Sequence, residues 1–335
     1  MSGALLDGHD AVLFDLDGTV YRGGELVPGA REAIRGVRDR RSAVRYVTNN
    51  ASKPDHEVAA HLRGLGLDAS PDEVSTSAQA AAGMLAEMLP SGSRVLVVGS
   101  SALAAEIEHV GLRPIREYAQ QPAAVVQGHS TETAWWHLAE ASLAIRGGAL
   151  WVASNTDRTL PTERGELPGN GAMVAALRAA TGQDPAVAGK PETPLLDRAV
   201  ASVGAANPLM VGDRLDTDIA GGVRFRVPSL LVLTGVSTPR ELLSADESMR
   251  PDHVAADLGA LHLPAEDSRV RENPAWNVVV EGDRLRLSCG DRRVADPLTA
   301  LRTMCAVWWA AGGGTPILRA EDAQAEKVFE ELDIR

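Results

Sequence analysis

The sequence predicts an α/β protein built on parallel sheets, and three observations carry that prediction. Short apolar runs that stop at polar residues alternate with stretches of helical spacing from residue 11 to residue 233, the pattern of strands joined by crossover helices. The alternation breaks at Pro90-Ser91-Gly92 and begins again at Val95, so a second α/β unit is expected there. After about residue 264 the pattern changes to a hairpin and two helices, a small α+β piece. A chain of 335 residues has room for two domains and a small third.

Taken in order, Ala11-Val12-Leu13-Phe14 is a buried strand that runs into Asp-Leu-Asp-Gly-Thr. Residues 28–40 have helical spacing, with Pro28 at the start. Residues 42–48 form a second strand that ends in Thr48-Asn49-Asn50, and 55–65 and 75–89 are helices. In the second series the expected strands are 95–98, 123–126 and 150–153, and the expected helices are 102–110, 133–145 and 171–180. A segment at 186–189 leads into Lys190-Pro191 and a helix at 194–203. The strand 209–211 runs into Gly212-Asp213, followed by a helix at 216–223 and a strand at 229–233. In the last part, 276–280 and 284–287 pair around Glu281-Gly282-Asp283, with helices at 298–310 and 321–332. The chain contains no repeat and no low-complexity tract.

Composition excludes several classes. Hydrophobic residues are 44% and charged residues 23%, values that suit a globular core and exclude a disordered or collagen-like chain. No apolar stretch reaches the ~18 residues of a membrane span, and residues 1–10 lack the basic start and apolar run of a signal peptide. Cys289 and Cys305 are too few for a disulfide framework and read as buried thiols of a cytoplasmic protein. The net charge of −12 argues against nucleic-acid or anionic-membrane partners. An anionic substrate would then need cations concentrated at the site. Lysine occurs only at 53, 190 and 327 among 33 basic residues, so where arginine is the default cation a retained lysine is informative.

The strongest chemical signal is Asp15-Leu16-Asp17-Gly18-Thr19 at a strand end. Carboxylates two apart on an extended chain face the same side, and two like charges that close call for a cation or a shared proton. A solvated acidic turn is the bland alternative, and a bare Asp-x-Asp would divide evenly between the two. The flanking strand and three further pieces shift the balance. Thr48 and Asn49 follow a strand and can hold phosphate oxygens without adding charge. Lys190, in Gly-Lys-Pro, supplies a compact positive charge. Asp213 follows a third strand, in Gly-Asp-Arg-Leu-Asp-Thr-Asp, at the carboxyl end where open α/β sheets place ligands.

These residues carry a resemblance. From about residue 10 to 236 the chain resembles the haloacid dehalogenase superfamily phosphatases, in the branch of the p-nitrophenylphosphatases, phosphoglycolate phosphatases and NagD-like enzymes. The stretches VTNNASKP, TSAQAAAGML, PGNGAMVAAL, GKP and VGDRLDTDI carry the likeness. It implies a Rossmann-like core at 1–89 and 186–264, an α/β cap inserted at 90–185, and a C-terminal extension at 265–335. It implies that Asp15 is the nucleophile, that Asp17 is the general acid and base, and that Thr48, Asn49 and Lys190 hold the phosphate. Mg²⁺ would sit on Asp15, the Asp17 backbone carbonyl and Asp213, with Asp218 in support. Physically, the cation and Lys190 would lower the barrier to one anion attacking another. An aspartyl-phosphate would split one hard hydrolysis into two steps. Asp17 would release the alcohol when protonated and activate water when ionised. The expected partner is a small-molecule phosphate ester, with room left for a homodimer.

Three motifs are set aside. His56 and His61 are five apart, about 100° off the shared face that a zinc-binding helix needs. Gly312-Gly313-Gly314-Thr315 lacks the lysine of a phosphate-binding loop, and Gly99-Ser100-Ser101 is no nucleophile elbow. In the cap, the family commonly has an aspartate after its V-V-V-G-x stretch, and this chain has Gln127-Gly128-His129-Ser130. His129, Asn155 and Arg158 are the specificity candidates there. One ring of the Trp135-Trp136 pair is expected in the cap core. The tail resembles the partial acetyltransferase-like appendage of actinobacterial glycerol 3-phosphate phosphatases. It lacks a glycine-rich pyrophosphate loop, so no acyl transfer is expected. This likeness points the substrate towards glycerol 3-phosphate, with 2-phosphoglycolate, sugar phosphates and nucleotides as alternatives. From other classes, the rivals are an acetyl-CoA-binding bifunctional protein and a non-catalytic phosphometabolite sensor.

Overall fold

The computed structural model describes residues 3–162, 164–290 and 296–334. The chain divides into two compact units, Met1–Val44 with Val203–Arg335, and Arg45–Ser202. These divisions fall elsewhere than the boundaries expected at 89, 185 and 264, and they keep the tail with the second half of the core.

In the first unit four strands run parallel. Ala11–Phe14 pairs with Pro208–Gly212, in the register Ala11 opposite Pro208 and Phe14 opposite Val211. Pro208–Gly212 pairs in turn with Ser229–Val232, and Ser229–Val232 with His253–Ala255. Every residue of all four is buried, which is why the first three read as mainly apolar runs rather than alternating ones. Among its helices are Ala30–Asp39 and Pro239–Leu243.

The helix expected at 216–223 is instead a π-helical turn, Leu215–Ile219, followed by a short α-helix, Ala220–Phe225. The Asp218 carboxylate accepts the Arg214 N–H at 3.1 Å, and the Arg214 carbonyl accepts both the Asp218 and the Ile219 N–H at 3.1 Å, the second being the wider π-helical bond. Short elements that sequence periodicity did not reveal include the hairpin Tyr21–Arg22 with Glu25–Leu26 and the strand His253–Ala255.

The tail adds a three-stranded sheet to the same unit. Trp276–Glu281 lies antiparallel to Arg284–Cys289, and Ile317–Ala320 joins it in parallel. The hairpin and both helices, Pro297–Ala310 and Ala323–Glu331, match expectation. The third strand was not foreseen, because four residues behind a triple glycine carry too little pattern.

The second unit holds a five-stranded parallel sheet, in the order Ala186–Val187, Leu150–Ala153, Ala124–Gln127, Arg94–Val98, Arg113–Ile115. Strand Ala43–Thr48 crosses the division of the chain, and its Tyr46 to Thr48 pair in parallel with Val74–Thr76. Asp55–Gly64, which carries His56 and His61, is an ordinary surface helix.

One expectation about the core is corrected here. Neither Trp135 nor Trp136 is buried; they are 81% and 50% exposed. They stand in the first turn of helix Trp135–Arg146, which turns Ala141, Ala144 and Ile145 inward further along. The indole that enters this core is Trp151, whose Nε1 donates to Gln127 Oε1 at 3.2 Å.

Candidate active site

The first unit gathers three carboxylates from separate parts of the chain. Asp15 directly follows strand Ala11–Phe14, and its N–H continues the ladder to Val211 O at 2.9 Å. Asp213 directly follows strand Pro208–Gly212, and Asp218 sits in the π-helical turn. One oxygen from each lies within 4.8 Å of the others. Asp213 and Asp218 are fully buried and Asp15 is half-buried.

The surroundings fix these carboxylates from several sides. Thr19 Oγ1 donates to Asp213 Oδ1 at 3.0 Å, and Val236 N–H donates to Asp213 Oδ2 at 2.7 Å. Gly18 has a φ of +90°, and a side chain there would come 2.5 Å from Asp213 Oδ2. Glycine is therefore needed twice over, for conformation and for space. A Cβ on Gly235 would run into the same carboxylate. Thr234 Oγ1 donates to Gly18 O at 2.6 Å, and the Arg22 guanidinium donates to the carbonyls of Thr234 and Gly235. Burial, with the Asp17 and Asp15 charges beside it, pushes the Tyr21 phenol well up.

The donor set is hard oxygen throughout, the kind that Mg²⁺ takes alongside retained waters, so these residues fit a divalent cation. The structure brings Asp15 and Asp213 together, as the sequence reading expected. Asp218, expected only in support, brings its own carboxylate into the cluster. Asp17 is exposed and stands outside it by side chain.

The second unit holds the phosphate-binding candidates. Lys190 is 1% exposed, and its Nζ donates to Val47 O at 3.0 Å. Asn49 clamps its peptide from both sides: Asn49 Oδ1 accepts Lys190 N–H at 2.8 Å and Nδ2 donates to Lys190 O at 2.9 Å. Nδ2 also reaches Asp157 Oδ1 at 3.1 Å. Gly189 is a glycine because a Cβ there would meet Asn49 Oδ1 at 2.6 Å. The Asn49 carbonyl accepts Asn155 Nδ2 at 2.6 Å and Ser77 Oγ at 2.5 Å. Asn170 Nδ2 in turn holds Asn155 O at 2.7 Å. Thr48 Oγ1 accepts Asn50 N–H at 3.1 Å, which leaves the hydroxyl proton to be donated.

Asn155 therefore belongs with Asn49 and Lys190. His129, half-buried after strand Ala124–Gln127, and the exposed Arg158 are not part of this network. The sequence reading missed Thr19, Arg22, Thr234 and Val236. Thr19 stood inside the Asp-Leu-Asp-Gly-Thr motif, but residues 234–236 carried only a threonine and a glycine after a strand. A cavity of about 800 Å³, lined by Asp257, Glu266, Arg269 and Arg302 among others, does not include the carboxylate cluster.

Known proteins share the sequence and the fold of this chain. Residues 12–113 match the haloacid dehalogenase-like hydrolase family, 187–261 a HAD-hydrolase-like family, and 273–334 a GCN5-related N-acetyltransferase-like domain. The chain is 49% identical over 308 residues to a D-glycerol 3-phosphate phosphatase of Mycobacterium tuberculosis, covering 90% of this chain and 86% of that one. It is 36% identical over 255 residues to an acid sugar phosphatase of Staphylococcus saprophyticus, covering 76% and 96%. The crystal structure of a Mycobacterium tuberculosis glycerol phosphate phosphatase in complex with magnesium superposes with a TM-score of 0.94 at 46% identity, covering all of both chains. This chain belongs to the haloacid dehalogenase-like hydrolases.

Proposed function

We propose that this hydrolase is a Mg²⁺-dependent phosphomonoesterase that converts glycerol 3-phosphate to glycerol and phosphate. The observation that carries the reading is the cluster of Asp15 and Asp213 at two strand ends with Asp218 in the π-helical turn, in a chain half identical to a glycerol 3-phosphate phosphatase.

Asp15 is the nucleophile. Its carboxylate oxygen forms the new bond to phosphorus as the phosphorus–ester oxygen bond breaks. Asp17 gives its proton to the departing alkoxide, then takes one from the water that attacks the aspartyl-phosphate and frees Asp15. Mg²⁺, when bound, offsets the negative charge shared by the carboxylates and the phosphoryl oxygens. Thr48 donates its hydroxyl to a phosphoryl oxygen, the Asn49 backbone N–H supplies a second donor, and Lys190 supplies positive charge. The Asn49 side chain is already committed to the Lys190 peptide, so its amide is a positioning group. This local charge meets the need set by a chain of net charge −12.

The reading has the enzyme in the cytoplasm, with a small-molecule partner and neither nucleic acid nor membrane. No helix among the described residues is long and apolar enough to cross a membrane. A homodimer is compatible with it. The expected domains are a core at 1–89 and 186–264, a cap at 90–185 and the extension at 265–335. Sugar phosphates are the second reading, favoured by the likeness to an acid sugar phosphatase. A phosphate-release screen over a metabolite panel decides between them. Glycerol 3-phosphate should lead in kcat/KM by about tenfold or more, and a sugar phosphate in first place would overturn the assignment.

A further inference from the structure

The acetyltransferase-like tail has no role in the reaction as derived, yet it does not stand apart from the core. One continuous hydrophobic cluster joins Leu215, Ile219, Leu242, Leu243 and Val254 of the core to Trp276, Leu285, Leu301, Met304 and Phe329 of the tail. Leu215 and Ile219 bound the π-helical turn that carries Asp218.

Polar contacts cross the same seam. Trp309 Nε1 donates to Leu243 O at 3.3 Å, and Arg302 donates to Val254 O at 3.0 Å. The Arg250 guanidinium stands 5.3 Å from the centre of the Trp309 ring, within cation–π range. Tail helix Pro297–Ala310 thus rests on core helix Pro239–Leu243.

That core helix begins one residue after the loop that holds Asp213. In the loop, Val236 N–H bonds Asp213 Oδ2, Ser237 N–H bonds Asp213 O at 3.1 Å, and Ser237 Oγ accepts Leu215 N–H at 2.9 Å. Thr238 then caps the helix through Glu241 N–H. The tail thus packs on the helix that follows this loop, and it shares one apolar cluster with Leu215 and Ile219 on either side of Asp218.

We infer that the tail is a positioning domain: by packing on Pro239–Leu243 and completing the apolar cluster that contains Leu215 and Ile219, it holds the metal carboxylates in their binding arrangement. This deepens the proposed function and rests on its metal reading. Groups that orient metal ligands commonly change metal affinity by about 10- to 100-fold when removed. Trp309 is the residue to test, because it is only partly buried and its indole N–H goes to a backbone carbonyl of the core helix.

The experiment measures Mg²⁺ binding to the stripped full-length enzyme by calorimetry, beside thermal melts and kcat at saturating Mg²⁺. Trp309→Ala should weaken Mg²⁺ binding by about tenfold while kcat at saturating metal stays close to wild type. Trp309→Phe, which keeps the ring over Arg250 and loses only the N–H, should fall between. Val279→Ser, on the exposed face of the tail sheet, should bind as wild type does. Lower melting temperatures with unchanged Mg²⁺ affinity would make the tail a stabiliser only and overturn the inference. If Trp309→Ala does not fold, wild-type affinity in Trp309→Phe has the same force. Wild-type enzyme that releases phosphate yet binds no Mg²⁺ would remove the metal reading itself, and this inference with it.

Discussion

At the scale of single residues, Asp15 and Asp17 differ in surroundings although one leucine separates them. Asp15 is half-buried with two other carboxylates, whereas the Asp17 side chain is exposed. The difference suits a nucleophile and a proton carrier. Asp15→Asn should abolish both turnover and phosphoenzyme formation. Asp17→Asn should lower kcat by about 10² to 10⁴ and leave substrate binding in place. Near-normal turnover in Asp15→Asn would end the nucleophile assignment. Asn49 gives a second prediction at this scale. Its amide holds the Lys190 peptide at two points, and a shift of about 1 Å at a charged group can cost on the order of 10² in rate. Asn49→Ala should therefore depress kcat on p-nitrophenyl phosphate and on glycerol 3-phosphate by the same factor. Asn49→Asp should not rescue it, since a carboxylate oxygen would then face Lys190 O. A loss confined to one substrate would show that Asn49 reads the leaving group instead.

At the scale of elements, the carboxylate cluster is assembled from a strand end, a second strand end and a π-helical turn, and each depends on its neighbours. Chelation should silence the enzyme and Mg²⁺ should restore it. Ca²⁺ should not, because its larger and looser oxygen shell would spoil in-line attack. Phosphate release followed through chelation and metal re-addition tests this, and full activity in chelator would mean that the acidic cluster has been misread. These elements were legible in the sequence to different degrees. Strands 11–14 and 208–212 were plain because burial on both faces leaves an unbroken apolar run. Asp15 and Asp213 were plain because each ends such a run. The π-helical turn was not, since Asp216, Thr217 and Asp218 fit helical spacing and the wider bond from Ile219 N–H to Arg214 O leaves no mark in the residue pattern. Asn155 is a specificity candidate in the sequence because Asn155-Thr156-Asp157-Arg158 resembles a loop of the family. Its bond to Asn49 O joins residues 106 positions apart, which no local pattern announces. The tryptophan pair misled for a related reason: size suggested burial, but the helix turns its alanines inward.

At the scale of the whole molecule, the question is where substrate choice resides. The chemistry at Asp15 and Asp17 is common to any phosphate monoester, so discrimination must come from contacts to the leaving group. The expected insert at 90–185 supplies residues outside the catalytic set, and His129 and Arg158 are its polar candidates. A selecting insert favours small polyol phosphates over phosphoproteins, because a bulky leaving group leaves less room to exclude water. His129→Ala and Arg158→Ala should therefore reorder kcat/KM among glycerol 3-phosphate, phosphoglycolate and a hexose phosphate. Turnover of p-nitrophenyl phosphate should change less, since its good leaving group asks little of the selecting residues. The two variants should also differ from each other. Arg158 is exposed and carries a full charge, so its loss should fall hardest on phosphoglycolate, whose leaving group bears a carboxylate. His129 is half-buried and should act on polyols. A phosphopeptide as best substrate, or an unchanged ranking in both variants, would place selectivity elsewhere in the chain.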